Sequence, residues 1–109
     1  MLDKPYIEYN FTYKNYTCVV VRQVFGHLCG YVSVPYWHKA YECDYELLED
    51  DIECHGGLTY SSHNLMGIEY LSWWIGFDCA HGDDTPEECN VQFCVKECKN
   101  IVDQLEEME

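Results

Sequence analysis

The chain has 109 residues, 48% of them apolar and 16% aromatic, so intrinsic disorder is excluded and one domain covering residues 1–109 is expected. Twenty acidic residues against six Lys and Arg give a net charge of −14, which disfavours direct binding to nucleic acid or to an anionic membrane. The longest uninterrupted apolar run is residues 18–21, and residues 1–20 lack the apolar stretch of a signal peptide. We therefore expect a cytoplasmic protein without a transmembrane segment.

Runs of apolar and aromatic residues, alternating in part with polar ones, predict five strands separated by turns and loops. They cover residues 6–13, 16–25, 30–34, 58–61 and 70–79. Lys14 and Asn15 form the predicted turn between the first two strands, and Pro35 ends the third. Residues 45–51 predict one or two helical turns. The segment 70–79 is rich in aromatic residues and is predicted to be the central, most buried strand.

The clearest predicted element is a long amphipathic helix at residues 86–107. Thr85 is its predicted N-cap, Pro86 stands at its first position, and Glu88 follows three residues after the cap. Apolar residues then recur at helical spacing, at Val91, Cys94, Val95, Cys98, Ile101, Val102, Leu105 and Met108. The expected fold is α+β, a small twisted antiparallel sheet with one long C-terminal amphipathic helix packed on it.

The chain contains eight cysteines. In a short secreted chain an even number of cysteines suggests a disulfide framework, but the expected cytoplasmic location and an adequate core favour reduced thiols. No C-x-x-C pair occurs, so a zinc site made of four cysteines is not expected. Most of the cysteines are interpreted as small buried apolar residues.

Acidic residues are concentrated in the middle of the chain, where no Lys or Arg occurs between Lys39 and Lys96 and seven acids lie within residues 42–53. One interpretation is a solvated surface that keeps the protein soluble. The other is a negative face that imitates nucleic acid and occupies the cationic groove of a partner protein. The predicted partner-binding residues are Glu42, Asp44, Glu46, Glu49, Asp50, Asp51, Glu53, Asp84, Glu87 and Glu88.

Three segments combine glycine with titratable side chains, and they lie at residues 26–35, 55–61 and 76–84. Tight turns at the glycines are expected to bring these side chains together, and imidazole with carboxylate is a good donor set for zinc. The predicted ligands are His55, Asp78 and His81, with Asp83 as the fourth. Cys54 and Cys79 adjoin these ligands as substitutes, and His27 is an outer candidate. The alternative is that the two histidines only hydrogen-bond the loops.

Enzyme activity is not expected, although two catalytic arrangements are conceivable. An open position on the zinc would activate water for hydrolysis, and Cys79 with His81 would form a nucleophile pair. However, the chain offers no clustered bases to hold an anionic substrate. Trp73 and Trp74 are adjacent and therefore face opposite sides of a strand. One is expected in the core, and the other could form a stacking surface with Trp37 or Tyr36 for a base or a partner, although core or interface packing is the commoner explanation.

The sequence resembles a family of small proteins encoded by phages and prophages. The matching pattern reads GH..GYV.VP, then HGGLTYS, then WW.GFDCAHGD, followed by a closing helix. The resemblance covers about residues 26–105. The tyrosine-rich segment 36–45 departs from the glycine-containing loop usual in the family. The residues that match its blocks are His27, Gly30, Tyr31, His55, Gly56, Gly57, Trp74, Gly76, Phe77, Asp78, His81 and Asp83.

A small, very acidic phage protein of this kind looks like an anti-defence inhibitor of the anti-CRISPR type. The resemblance implies a partner in the bacterial host's cytoplasm, an RNA-guided nuclease effector whose nucleic-acid loading the acidic surface blocks. The zinc would then be structural. Two alternatives remain open. One is a sponge that stacks a nucleotide defence signal on Trp37 or Trp74, and the other is a zinc-dependent hydrolase.

Overall fold

The computed structural model describes residues 3–66 and 73–108. Within them, a five-stranded antiparallel sheet packs against one C-terminal helix, which confirms the predicted α+β architecture. The strands are β1 (Tyr6–Tyr13), β2 (Tyr16–Arg22), β3 (Leu28–Val34), β4 (Tyr60–Ser62) and β5 (Trp73–Asp78), the helix is α1 (Val91–Glu107), and Tyr45–Leu48 forms a 3-10 helix. Their order across the sheet is β1-β2-β3-β5-β4.

The first three strands follow one another as neighbouring hairpins. Lys14 and Asn15 turn the chain between β1 and β2 with φ angles of 50° and 70°, which confirms the predicted turn. Asn tolerates this left-handed conformation better than most residues, so the sequence is suited to a two-residue turn. The predicted second strand ends earlier than residue 25, because Gln23 and His27 pair across a turn instead.

The prediction that segment 70–79 forms the central strand is wrong. β3 occupies the centre, pairs with both β2 and β5, and is buried at all seven of its residues. β5 lies one place further out and is covered at its outer edge by the three-residue strand β4. Residues 70–72 lie outside the described ranges.

Most of the core lies between the sheet and helix α1. Val20, Val32 and Ile75 of the sheet face Cys98 and Leu105 of the helix, and all five are fully buried. A side chain at residue 30 would lie 2.9 Å from the Cys98 sulfur and closer still to the ring of Phe77, so glycine at this position lets the helix approach the sheet. In the described part of the chain, no helix has the length and apolar content required to cross a membrane.

Helix α1 begins five residues later than predicted, at Val91 rather than at residue 86. Asn90 is the N-cap, and its side-chain oxygen accepts a hydrogen bond of 2.9 Å from the Phe93 amide. The predicted cap, Thr85, caps an isolated turn, since its hydroxyl accepts from the Glu88 amide at 3.3 Å. That turn does not continue into the helix. Thr85 therefore forms the predicted capping hydrogen bond, but within the loop that precedes the helix.

The opposite face of the sheet carries a smaller apolar cluster, formed by Val19, Val21, Cys29, Tyr31, Leu65 and Trp74. Trp73 and Trp74 do face opposite sides, as predicted, but both are buried, and Trp74 is 0% exposed. Trp74 therefore offers no stacking surface to a base. Of the aromatic residues proposed for stacking, Trp37 and Tyr36 are exposed.

Candidate metal centre

The candidate metal centre lies where β5 ends, beneath the loop that leads to helix α1. Cys79 follows β5 directly, and Cys89 stands just before the helix N-cap. His55 enters from a separate turn, which is closed by a 2.9 Å hydrogen bond from the Gly57 amide to the Cys54 carbonyl. The His55 amide also donates to a carboxylate oxygen of Glu97 at 2.8 Å, which attaches this turn to the helix.

Two groups of three donor side chains meet here and share His55. His55, Cys79 and Cys89 have ligand atoms that all lie within 4.8 Å of one another, and so do His55, His81 and Asp84. His55 Nε2 is 2.7 Å from Asp84 Oδ1 and 3.8 Å from the Cys89 sulfur. Five potential ligands therefore surround one small region.

The spacing fits a tetrahedral metal ion. Zinc binds sulfur at about 2.3 Å and imidazole nitrogen at about 2.0 Å, which places the two ligand atoms about 3.5 Å apart across a tetrahedral angle. The observed 3.8 Å between the Cys89 sulfur and His55 Nε2 is close to that value. The cluster of His55, Cys79 and Cys89 is thus compatible with a metal site.

Asp84 belongs to the second group and lies beside His55, with which its carboxylate forms a 2.7 Å hydrogen bond. Its side chain is only 8% exposed, and its second oxygen accepts a 2.9 Å hydrogen bond from the His81 amide. Burial by itself raises the pKa of the Asp84 carboxyl, but hydrogen bonds from the His81 amide, the Cys89 thiol and His55 outweigh it and hold the pKa below its usual value. Asp84 is therefore an inward-facing carboxylate rather than part of an acidic surface.

His81 is held over the turn that carries His55. A Cβ atom at residue 56 would lie 2.7 Å from the ring carbon Cδ2 of His81 and closer still to Nε2, so the imidazole occupies the space that Gly56 leaves. The rings of His55 and His81 meet edge to face at 5.4 Å between centroids. Among the described residues, His81 Nε2 is buried without a hydrogen-bond partner, and Asp78 Oδ1 lies 3.5 Å away. The charged partner nearest to this nitrogen is therefore the Asp78 carboxylate.

The thiols of the centre are protonated when no metal is bound. A hydrogen bond with the Cys94 thiol, followed by burial, raises the pKa of Cys79 far above its usual range. Burial raises the pKa of Cys89 to about 12, with the neighbouring Cys79 thiol adding to the effect. Because a metal binds the thiolate, binding here releases protons.

The predicted ligands are only partly brought together. His55, His81 and the substitute Cys79 belong to the two groups of potential ligands. Asp78 accepts a hydrogen bond from the Ala80 amide and belongs to neither group, although it lies beside His81. Asp83 is exposed, and within the described ranges it also belongs to neither group. Cys54 is half-buried and outside both groups as well.

Sequence reasoning did not identify Cys89 as a ligand and assigned Asp84 to the partner surface instead. Both lie in the loop between β5 and α1, which the prediction placed partly within the helix. With the helix beginning at Val91, the loop has a cysteine near each end, and this pair is the signal that the sequence offers for Cys89. Four carboxylates lie between the two cysteines, and no local feature selects Asp84 among them.

A cleft of about 330 Å³ opens beside the centre. Cys79, Asp84 and Cys89 contribute to its wall, so the ligand cluster is reachable from solvent. The other side of the cleft is formed by the turn between β2 and β3. This turn includes His27, the outer candidate of the sequence analysis, and the 79% exposed Phe25.

The predicted acidic surface occupies the segment that precedes His55. All seven acids of residues 42–53 are exposed, and so are Glu87 and Glu88. The end of this segment is fixed to helix α1, because the Glu53 amide donates to Gln104 at 2.8 Å and the Glu53 carbonyl accepts from both Gln104 and Asn100. Glu42 also accepts a 2.7 Å hydrogen bond from His63.

No protein-family model, curated protein or solved structure matches the chain in comparisons of sequence and fold. Its function is therefore inferred from the geometry of the centre and of the acidic surface.

Proposed function

We propose that the protein binds one Zn²⁺ ion through His55, Cys79, Cys89 and Asp84, and that this ion is structural. Two thiolates with one imidazole are donors that favour zinc over hard cations such as magnesium or calcium. The ion would join three separate parts of the chain, namely the turn at His55, the end of β5 at Cys79 and the start of α1 at Cys89. It would thereby hold the long loop after β5 in one conformation.

Elemental analysis of the purified protein tests the zinc proposal. We expect one zinc per chain in the wild type and loss of that zinc in Cys89→Ser. Cys29→Ser is the matched control, because Cys29 is also a buried thiol but lies in the apolar cluster on the other face of the sheet. A wild-type protein that remains metal-free after dialysis against zinc would refute the site.

On this scaffold, we propose an inhibitor that binds the basic nucleic-acid groove of a partner protein and has no enzymatic activity of its own. The observation that carries the proposal is the exposure of all seven carboxylates of residues 42–53 on a segment whose end is hydrogen-bonded to helix α1. A segment whose backbone is anchored loses less conformational freedom on binding, and its exposed carboxylates present a negative surface complementary to a cationic groove. An RNA-guided nuclease effector is the partner that the resemblance to phage proteins implies.

The test is binding to a panel of purified RNA-guided effectors at low salt, followed by loading of target DNA. Glu46→Lys with Asp50→Lys should abolish binding and restore DNA loading. The control is Asp3→Lys with Asn10→Lys and Thr12→Lys, which raises the net charge equally but changes exposed residues on or beside β1. Equal loss of binding in the two variants would mean that only the net charge of the protein matters, not the position of its carboxylates, and would contradict the proposed surface. Absence of any complex at low salt would reject the proposal.

A second candidate function, zinc-dependent hydrolysis, is favoured by the cleft that reaches the ligand cluster. In this case His55, Cys79 and Cys89 would hold the ion, whose chemistry is the activation of water, and Asp84 would serve as the proton acceptor. Turnover of ester or phosphodiester substrates that disappears in both Cys89→Ser and Asp84→Asn, with zinc retained in the latter, would support this function. Binding of zinc without turnover supports the structural role.

A further inference from the structure

We infer that Cys79 and Cys94 form an oxidation-sensitive pair, in which peroxide converts the two thiols into a disulfide and releases the metal. This inference rests on the proposed zinc site for its second half, the metal release. The formation of the disulfide depends only on the arrangement of the thiols.

Cys79 has two sets of neighbours. On one side it belongs to the ligand group with His55 and Cys89. On the other side its sulfur lies 3.8 Å from the sulfur of Cys94, which is the fourth residue of helix α1 and belongs to neither ligand group within the described ranges. Cys94 is therefore a thiol in contact with a proposed ligand but not itself needed for the metal.

Access from solvent differs between the two thiols. Cys79 contributes to the wall of the cleft beside the centre, whose volume of about 330 Å³ exceeds that of a hydrogen peroxide molecule. Cys94 is fully buried and does not line that cleft. Oxidation therefore begins at Cys79, and Cys94 reacts afterwards from within the core.

The chemistry consumes one peroxide for each disulfide. The small fraction of Cys79 that is ionised attacks one peroxide oxygen, the O–O bond breaks, and hydroxide leaves to give a sulfenic acid. The Cys94 sulfur then attacks the Cys79 sulfur, the S–O bond breaks, and the leaving hydroxide takes up the proton that Cys94 loses. Counting the proton that the first thiol gives up on ionisation, two thiols and one hydrogen peroxide yield a disulfide and two water molecules.

The disulfide would replace the link between Cys79 and the zinc by a covalent bond between Cys79 and Cys94. The sulfurs must close from 3.8 Å to about 2.05 Å, which draws the end of β5 towards the first turn of helix α1. A sulfur held in a disulfide no longer ligates zinc as a thiolate, so the ion loses one of its four proposed ligands. Oxidation thus frees the loop that carries Asp84 while it links the sheet covalently to the helix.

The experiment treats the zinc-loaded full-length protein with hydrogen peroxide while a chelating dye reports free zinc. We expect release of one zinc per chain, an intact mass lower by two hydrogen atoms, and a peptide in which Cys79 is linked to Cys94. Cys29→Ser should behave like the wild type. Cys94→Ser should form no disulfide at Cys79 and should accumulate the sulfinic acid there instead.

Linkage of Cys79 to Cys89, or an unchanged mass loss of two hydrogens in Cys94→Ser, would overturn the inference. If the wild type binds no zinc, the zinc proposal fails, but peptide mapping after peroxide treatment of the metal-free protein still decides whether Cys79 pairs with Cys94. A disulfide found there supports the pair, and its absence rejects it.

Discussion

The imidazole of His81 occupies the space that a side chain at Gly56 would fill. This contact joins the second and third glycine-containing segments of the sequence, since β4 and β5 both lie between Gly56 and His81 along the chain. It explains why a glycine follows His55 directly, since any larger residue would displace the second histidine of the centre. The pair also buries His81 Nε2 beside the proposed ligands.

Substitution of Gly56 should therefore be more harmful than substitution of its neighbour. Gly56 and Gly57 both have a positive φ, of 69° and 81°, so alanine at either position costs about 1 kcal/mol of backbone strain. Only at Gly56 does the added carbon meet His81, whereas nothing lies within 4 Å at Gly57. We expect Gly56→Ala to lower both the melting temperature and the zinc content, and Gly57→Ala to lower only the former. Equal zinc content in the two variants would mean that the contact between residue 56 and His81 has no role in zinc binding.

The two adjacent aspartates after His81 should respond differently to amidation. Asp84→Asn removes a charged ligand, so the apparent zinc affinity should fall by tenfold or more, about 1.4 kcal/mol. Asp83→Asn changes an exposed carboxylate and should leave the affinity unchanged. Competition with a chromophoric chelator measures both. If Asp83→Asn weakened binding as much as Asp84→Asn, the ligand assignment would be wrong.

The start of helix α1 can be checked by removing each of the two caps. Asn90→Ala deletes the side chain that accepts from the Phe93 amide and should reduce the free energy of unfolding by about 1 kcal/mol. Thr85→Ala affects a longer hydrogen bond in a turn outside the helix and should cost less. Urea denaturation with far-UV circular dichroism gives both values. The reverse order would place the beginning of the helix at the earlier residue, as the sequence predicts.

An ion pair between the first hairpin and helix α1 should give the protein a specific sensitivity to acid. Lys14 Nζ lies 2.7 Å from Asp103 Oδ1, and this hydrogen bond, with one from Tyr13, lowers the pKa of Asp103. The contribution to stability is complete above the unfolded pKa of about 3.9 and is lost as the pH falls through the lower folded pKa. At low salt, Asp103→Asn should reduce the loss of stability between about pH 5 and pH 2.

Urea midpoints at a series of pH values test this dependence. Asp51→Asn is the control, because Asp51 is exposed and has no ion pair within the described ranges. A pH dependence that is the same in Asp103→Asn as in the wild type would mean that the pair makes no net contribution.

The hairpin of the first two strands and the existence of the closing helix could be predicted because their signals are local. A two-residue turn at Lys14 and Asn15, and apolar spacing from Val91 to Leu105, act within a few residues of one another. The beginning of the helix could not be decided in this way, since Thr85 and Asn90 are both good caps. The choice depends on where Cys89 lies in the folded chain, beside His55 from a distant turn.

The residues of the site could likewise be predicted only where their signals are local. His55 and His81 stand next to glycines, and these local features were sufficient to select them. Asp84 and Asp83 cannot be distinguished in the sequence, because only the folded loop determines which carboxylate points inward. The position of β3 at the centre of the sheet likewise depends on the long-range pairing of β5 with β3, which no local pattern encodes.

The arrangement of β1, β2 and β3 as successive hairpins has a consequence for synthesis on the ribosome. These strands emerge early and can pair at once, but the helix that covers their apolar side is translated after every strand. A nascent chain that includes Val34 but not yet Val91 therefore exposes the apolar surface of the sheet to solvent. Ribosome-bound intermediates of this length should be the form of the protein that chaperones engage and that aggregates when translation stalls.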